Sequence, residues 1–176
     1  EAAFIPELGN ITLHREQQVA LAALLAGRNL ILSAPTSFGK SLLIDALLVS
    51  GSYSRVAIVL PTIALMDEFR RRLTGRFGNS YDVLMHHSEK QVREKVIFLG
   101  TQERLINRDD LGVIDLAIVD EFYKLDPNRG DQRSVVLNAA VYKLLGKARQ
   151  FFFLGPNIDG VTVSGDSRWK FEFLKT

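Results

Sequence analysis

At 176 residues the chain is long enough for one well-buried domain and short for two. Its 47% hydrophobic and 24% charged content is that of an ordinary globular protein, and a net charge of +2 is too even to name a nucleic-acid partner by itself. The lack of cysteine excludes disulfides and thiolate metal sites, no apolar run approaches the roughly 18 residues of a membrane span, and no signal-peptide pattern opens the chain. A reducing, cytoplasmic compartment fits. A start at Glu1 fits a piece of a longer protein.

Strand-like apolar runs alternate with helical periodicity along the whole chain, the pattern of an α/β domain with a mostly parallel sheet. Thr12 is positioned to cap a helix through Ala26, with Leu13, Val19, Ala20 and Leu24 inward and Gly27 as its stop. Residues 29–33 (NLILS) read as a buried strand, and residues 39–49 as a helix with Leu42, Leu43, Ala46 and Leu47 inward. Residues 55–60 (RVAIVL) form a second buried strand, stopped by Pro61. A helix over 62–73 follows, its far side carrying Asp67, Glu68, Arg70, Arg71 and Arg72. Strands are expected at 81–85, 96–99, 115–119 and 150–154, with helices at 102–106 and 134–145. Residues 168–174 alternate Trp169, Phe171 and Phe173 with polar residues, as a half-exposed edge strand does.

The sharpest signal follows the NLILS strand. Ala34, Pro35, Thr36, Ser37, Phe38, Gly39, Lys40 and Ser41 stand between that strand and a helix. Free N–H groups at a helix N-terminus face phosphate charge favourably. Gly39 permits close backbone approach, Lys40 reaches the β/γ-phosphates of a nucleotide such as ATP, and the Ser41 hydroxyl is a hard ligand for Mg2+. A bare Gly-Lys-Ser triplet arises by chance in many chains; the strand before, the helix after and a downstream Asp-Glu make chance a poor account. Ala34 departs from the first glycine of G-x-x-x-x-G-K-S/T. Farther on, the 115–119 run ends in Asp120-Glu121-Phe122-Tyr123. Asp120 is a candidate to hold Mg2+ directly or through water, and Glu121 to polarise an attacking water. Alone, this would be an ordinary acidic turn; paired with the phosphate loop it reads as chemistry.

These residues resemble, in order and over nearly the whole chain, the first lobe of superfamily-2 helicases of the DEAD/DEAH-box class. Gln17 is similar to the glutamine that reads adenine, although a helix glutamine taken alone is more often solvated. An upstream aromatic, Phe4, is a candidate for packing on the adenine face. Residues 34–41 resemble motif I, which in this family commonly begins with Ala. Pro61-Thr62-Ile63-Ala64-Leu65 resembles motif Ia and Thr101-Gln102-Glu103-Arg104-Leu105 motif Ib. Asp120 and Glu121 match the start of motif II, Arg129-Gly130 resembles the pair that often follows it, and Leu154-Gly155-Pro156-Asn157 falls at motif III. The resemblance implies a P-loop NTPase, RecA-like three-layer α/β/α sandwich over residues 1–176. It further implies ATP and Mg2+ as cofactors, a second RecA-like lobe in the same protein, and a DNA or RNA strand held with little base specificity by Pro61, Thr62, Thr101 and Gln102. The last is physically reasonable, since Thr62 and Thr101 stand at strand-to-helix junctions with free N–H groups. Without the resemblance, both threonines are more readily read as simple helix caps.

The departures bear on function. Tyr123 replaces the fourth motif II residue, Ser37-Phe38 the small pair of motif I, Gly-Pro-Asn the usual S-A-T, and Ile63 an arginine. PTSFGKS, PTIALMDEF and DEFYK together resemble a bacterial branch found in genome-defence and DNA-processing operons. Arg70, Arg71, Arg72 and Arg76 read as a solvated helix face, with nucleic-acid contact the alternative. His86 and His87 leave a strand in opposite directions, which argues against a metal pair. Phe151, Phe152 and Phe153 read as core. The expected activity is therefore Mg2+-dependent ATP hydrolysis, with Lys40 and Glu121 catalytic, coupled to strand translocation or unwinding and weak in an isolated lobe. A non-catalytic nucleotide-binding scaffold is the alternative. A P-loop small-molecule kinase is another, but it would not be expected to carry Gln17, Pro61-Thr62 and Thr101 at these positions.

Overall fold

The computed structural model describes residues 3–5, 11–35, 38–120, 146–155 and 171–176. Two short strands, β1 (Ala3–Ile5) and β2 (Ile11–Leu13), pair antiparallel. They lead into α1 (Arg15–Leu25), β3 (Asn29–Ser33), α2 (Lys40–Val49), β4 (Arg55–Val59), α3 (Ile63–Phe77) and β5 (Tyr81–Leu84). Then come β6 (Lys95–Gly100), α4 (Gln102–Ile106), β7 (Leu116–Asp120), β8 (Phe151–Gly155) and β9 (Phe171–Lys175). Strands β3 to β9 form one seven-stranded sheet in the order β5-β6-β4-β7-β8-β3-β9. Every pairing in it is parallel. This is the RecA-like α/β arrangement.

The alternation of side chains along each strand divides the core in two. Leu30, Leu32, Val56, Ile58, Ile97, Leu99, Leu116 and Ile118 point to the face covered by Ala20, Leu24, Leu43, Leu47, Met66, Phe69 and Leu73 of α1, α2 and α3. Ile31, Ala57, Val59, Val96, Phe98, Ala117, Val119, Phe151 and Phe153 point the other way, onto Leu105 of α4 and Leu111. Strands buried on both faces need no polar residues, which is why they read as continuous apolar runs.

Three expectations are corrected. Thr12 lies in β2, and the cap of α1 is His14: its Nδ1 accepts the Gln17 N–H at 3.4 Å while Gln17 Oε1 accepts the His14 N–H at 3.1 Å, a reciprocal capping box. Val19 faces solvent at 49% exposure, because the buried stripe of α1 runs through Gln17, Ala20, Ala23 and Leu24. Helix α3 continues a turn past Leu73, since Phe77 buries on the same stripe as Met66, Phe69 and Leu73. Gly27 does end α1: in a left-handed conformation (φ 83°) it donates to Leu24 O, and Arg28 donates to Ala23 O. The expected helix at 134–145 lies outside the described residues. No helix among the described residues is long and apolar enough to cross a membrane.

Candidate nucleotide and nucleic-acid site

All the parallel strands end on one edge of the sheet, and in an open α/β sheet ligand chemistry gathers at that edge. Beyond β3 the Ala34 N–H donates to Gly155 O at 2.9 Å, and the Phe38 N–H closes a turn on Pro35 O at 3.0 Å. Gly39 then takes a left-handed conformation (φ 82°, ψ 41°) as the N-cap of α2. A residue with a Cβ is strained there, and that Cβ would stand 2.5 Å from Gln17 Nε2. Gly39 has no side chain with which to cap α2, so among the described residues the positive end of α2 carries no side-chain cap. Lys40 is half-buried and Ser41 exposed on the first turn. Thr36 and Ser37 lie outside the described residues.

Gln17 is not the solvated side chain that a lone helix glutamine suggests. It is 4% exposed, and its Nε2 donates to Phe38 O at 2.6 Å. The same residue thus caps α1 and pins the phosphate loop. Phe38 is buried and meets the His14 ring edge-on, centroids 5.1 Å apart. Phe4 falls in β1, with its side chain outside the described residues.

Along the same edge, β7 delivers Asp120. Residues 117 and 119 point to the α4 face, so the alternation turns Asp120 with Leu116 and Ile118 toward the face that carries α2. Only β8 separates β7 from β3, a span of about 9.5 Å at ordinary strand spacing. A hydroxyl and a carboxylate on the edge that also carries the N-terminus of α2 are the donor types that suit a hard cation carrying phosphate oxygens, as Mg2+ is generally held. Glu121, Tyr123, Arg129, Gly130, Pro156 and Asn157 lie outside the described residues.

On the other side of Asp120 stand the ends of β4 and β6, drawn together by the Leu60 N–H donating to Gly100 O at 2.9 Å. Pro61 is buried and Thr62 exposed. Thr62 does cap α3, its Oγ1 accepting the Leu65 N–H at 3.3 Å. Thr101 holds the N-cap position of α4 but makes no side-chain cap bond, and it is buried. Gln102 opens α4, its side chain outside the described residues. Across the edge the order is thus Thr101, Thr62, Asp120 and then the phosphate loop.

The arginine run is a solvated face only in part: Arg71 and Arg76 are exposed, while Arg70 and Arg72 are half-buried. Arg70 pairs with Glu89 at 2.8 Å, and Glu89 also accepts the His86 N–H at 2.9 Å. Arg72 and Arg76 both reach Asp45 of α2, and Arg71 alone of the four lacks a carboxylate partner among the described residues. Sequence reasoning missed Asp45; its signal was a lone acid in the apolar helix KSLLIDALLV. Burial pushes the Asp45 carboxyl up, and the Arg72 and Arg76 charges draw it back. His86 and His87 are exposed, with His86 Nδ1 3.4 Å from Arg104 Nη1.

A family model for the DEAD/DEAH box helicase matches residues 14–154. The chain is also 44% identical over 146 residues to Anti-bacteriophage protein B of Escherichia coli (strain K12). The match covers 78% of this chain and 20% of that protein, so the chain spans about a fifth of the length of this curated relative. A match that runs from α1 into β8, with the phosphate loop and the acidic strand end both inside it, decides the family: the chain belongs to the DEAD/DEAH box helicases.

Proposed function

We propose that the chain is the ATP-binding lobe of a nucleic-acid-dependent ATPase, working with a second RecA-like lobe of the same protein. The observation that carries this reading is the open N-terminus of α2, led by left-handed Gly39, on the same edge as Asp120, Thr62 and Thr101. Ala34, Pro35, Thr36, Ser37, Phe38 and Gly39 form the phosphate cradle, and Lys40 neutralises the charge that builds on the γ-phosphoryl oxygens. Bound Mg2+ would supply charge neutralisation across the β/γ-phosphates, held by Ser41 and Asp120. Glu121 orients the attacking water. Gln17, whose amide nitrogen already holds Phe38 O, keeps one further N–H for a base. Pro61, Thr62, Thr101 and Gln102 meet the phosphates of one DNA or RNA strand, so base sequence matters little. The transition-state arginine comes from the second lobe and is worth roughly 10³ or more in rate, so the isolated lobe binds nucleotide weakly and turns over little. The likeness to Anti-bacteriophage protein B supports a place in bacterial phage defence.

The test is ATPase rate, with and without single-stranded DNA and RNA, on the longest natural chain containing this segment. Stimulation that vanishes in Lys40→Ala and Glu121→Gln is expected. ATP bound without turnover would overturn the motor and leave a nucleotide-sensing scaffold, a reading that Tyr123 and Gly155-Pro156-Asn157 favour through their departures from motifs II and III.

A further inference from the structure

Asp45 is the only acid in α2, and its side chain is 3% exposed. It is met by two guanidinium groups from one neighbouring helix. Arg72 Nη1 donates to Asp45 Oδ1, and Arg76 Nη1 donates to Oδ2 at 3.1 Å. Arg72 Nη1 also lies 3.4 Å from the carbonyl of Ser41, one turn back along α2, and its guanidinium lies over the Phe69 ring at 4.8 Å. One side chain of α3 therefore touches α2 both at its buried carboxylate and at the backbone of the residue that follows Lys40.

Stability alone does not explain this device, because a buried ion pair is often no better than well-packed apolar residues. What it adds is a fixed register between two helices. Helix α2 begins at the phosphate loop and α3 begins at Thr62, so the two have their first turns at the two halves of the site. The triad also has room to change: Arg72 Nη2 is buried with no hydrogen-bond partner among the described residues. An orphaned donor raises the energy of the present arrangement, and a small slide of α3 on α2 that satisfied it would be favoured.

We infer that Asp45, Arg72 and Arg76 form the link by which the phosphate-loop helix and α3 pass strain to each other, with Asp45 and Arg72 as positioning residues for the coupling between nucleotide and nucleic-acid binding. The inference rests on the function proposed above. Coupling of this kind is reciprocal: nucleic acid changes nucleotide affinity by the same factor as nucleotide changes nucleic-acid affinity, typically about 5–150-fold.

The experiment titrates a fluorescent non-hydrolysable ATP analogue against the longest natural chain, with and without a single-stranded oligonucleotide, and then in the reverse order. In Asp45→Asn and Arg72→Met each ligand alone binds within about threefold of the unaltered protein, while the mutual factor collapses to within about twofold of one in both directions. Arg72→Lys keeps a charge for Asp45 but gives up the planar guanidinium whose Nη1 also lies near Ser41 O, and falls between. If Asp45→Asn does not fold, Arg72→Met decides, because a methionine is of similar length and can fill the space over the Phe69 ring. A merely structural role would lower the melting temperature and both affinities and leave the factor intact, and that result overturns the inference. An unaltered protein that binds both ligands with no coupling overturns it as well. One that binds neither sinks the proposed function, and the link with it.

Discussion

The two edges of the sheet are built on opposite principles. At the edge where strands begin, buried and half-buried polar groups bond one another across elements. Gln150 Nε2 donates to Leu24 O at 2.7 Å and Arg28 O at 2.8 Å, and its Oε1 lies 3.0 Å from the Tyr53 hydroxyl. The Tyr81 hydroxyl donates to Tyr53 O, and Asp115 Oδ2 accepts the N–H groups of Ser54 and Arg55 at 2.8 and 2.9 Å. Arg55 spans the gap to Leu111 O and Asp110 O. At the edge where strands end, Ser41 is exposed on the first turn of α2, and Thr62, also exposed, bonds the Leu65 N–H of its own helix. A polar group turned to solvent can meet a ligand; one buried and bonded to a neighbouring element cannot do so without breaking that bond. Cross-links between elements therefore gather at one edge, and the candidate binding groups stand at the other.

The separation can be broken from either side. Lys40→Ala should lower nucleic-acid-stimulated turnover of the longest natural chain by about 10²-fold or more, as loss of one charge-stabilising donor typically does. Its unfolding free energy in urea should stay within about 0.5 kcal/mol of the unaltered protein; a large stability loss would show that this edge also holds the fold. Gln150→Leu is the converse. It strands Arg28 O and weakens the ties of Leu24 O and Tyr53, so unfolding in urea should cost about 3 kcal/mol less, with an unchanged slope. Nucleotide affinity of the folded fraction should be unaltered.

A third test uses pH. Burial, with a smaller push from Asp115, raises the Tyr81 hydroxyl to about 12, whereas an unfolded tyrosine titrates near 10. The unfolded chain releases this proton first as pH rises, so the contribution is whole below pH 10 and is lost between about 10 and 12, about 3 kcal/mol in all. Tyr81→Phe should flatten that limb of the stability curve, and a limb that stays steep would assign it to another group. The smallest effect sharpens the comparison within the loop itself. Gly39→Ala forces a Cβ into the left-handed region beside Gln17 Nε2. It should weaken ATP binding about tenfold, in keeping with a strain of about 1–2 kcal/mol, as read by analogue titration.

What was legible in the sequence follows the same division. Strands buried on both faces print themselves as apolar runs, so NLILS and RVAIV are found almost to the residue, and Gly39-Lys40-Ser41 shows itself through local spacing. The β1–β2 hairpin is invisible because three-residue strands carry no period. His14 was hidden as a cap because only the reciprocal bond with Gln17 gives it that role. Periodicity places an arginine on a helix face but says nothing of a partner on another helix, so Arg72 and Arg76 look solvated until Asp45 is seen beneath them. Asp120 is legible as the acid that ends an apolar run, and it closes β7; its neighbour Glu121 lies outside the described residues.

The strand order has a consequence for how the molecule is made. Strand β3, which launches the phosphate loop, pairs with β8 and β9, whose residues are separated from it by more than half the chain. While the polypeptide is still emerging from the ribosome, β5, β6, β4 and β7 already have one another as neighbours, and β3 has neither of its own. Contacts so distant in sequence close slowly. The part of the sheet that carries the candidate nucleotide site is thus the last to be completed, and on the function proposed above a nascent chain should not grip ATP before the strands that flank β3 have been synthesised.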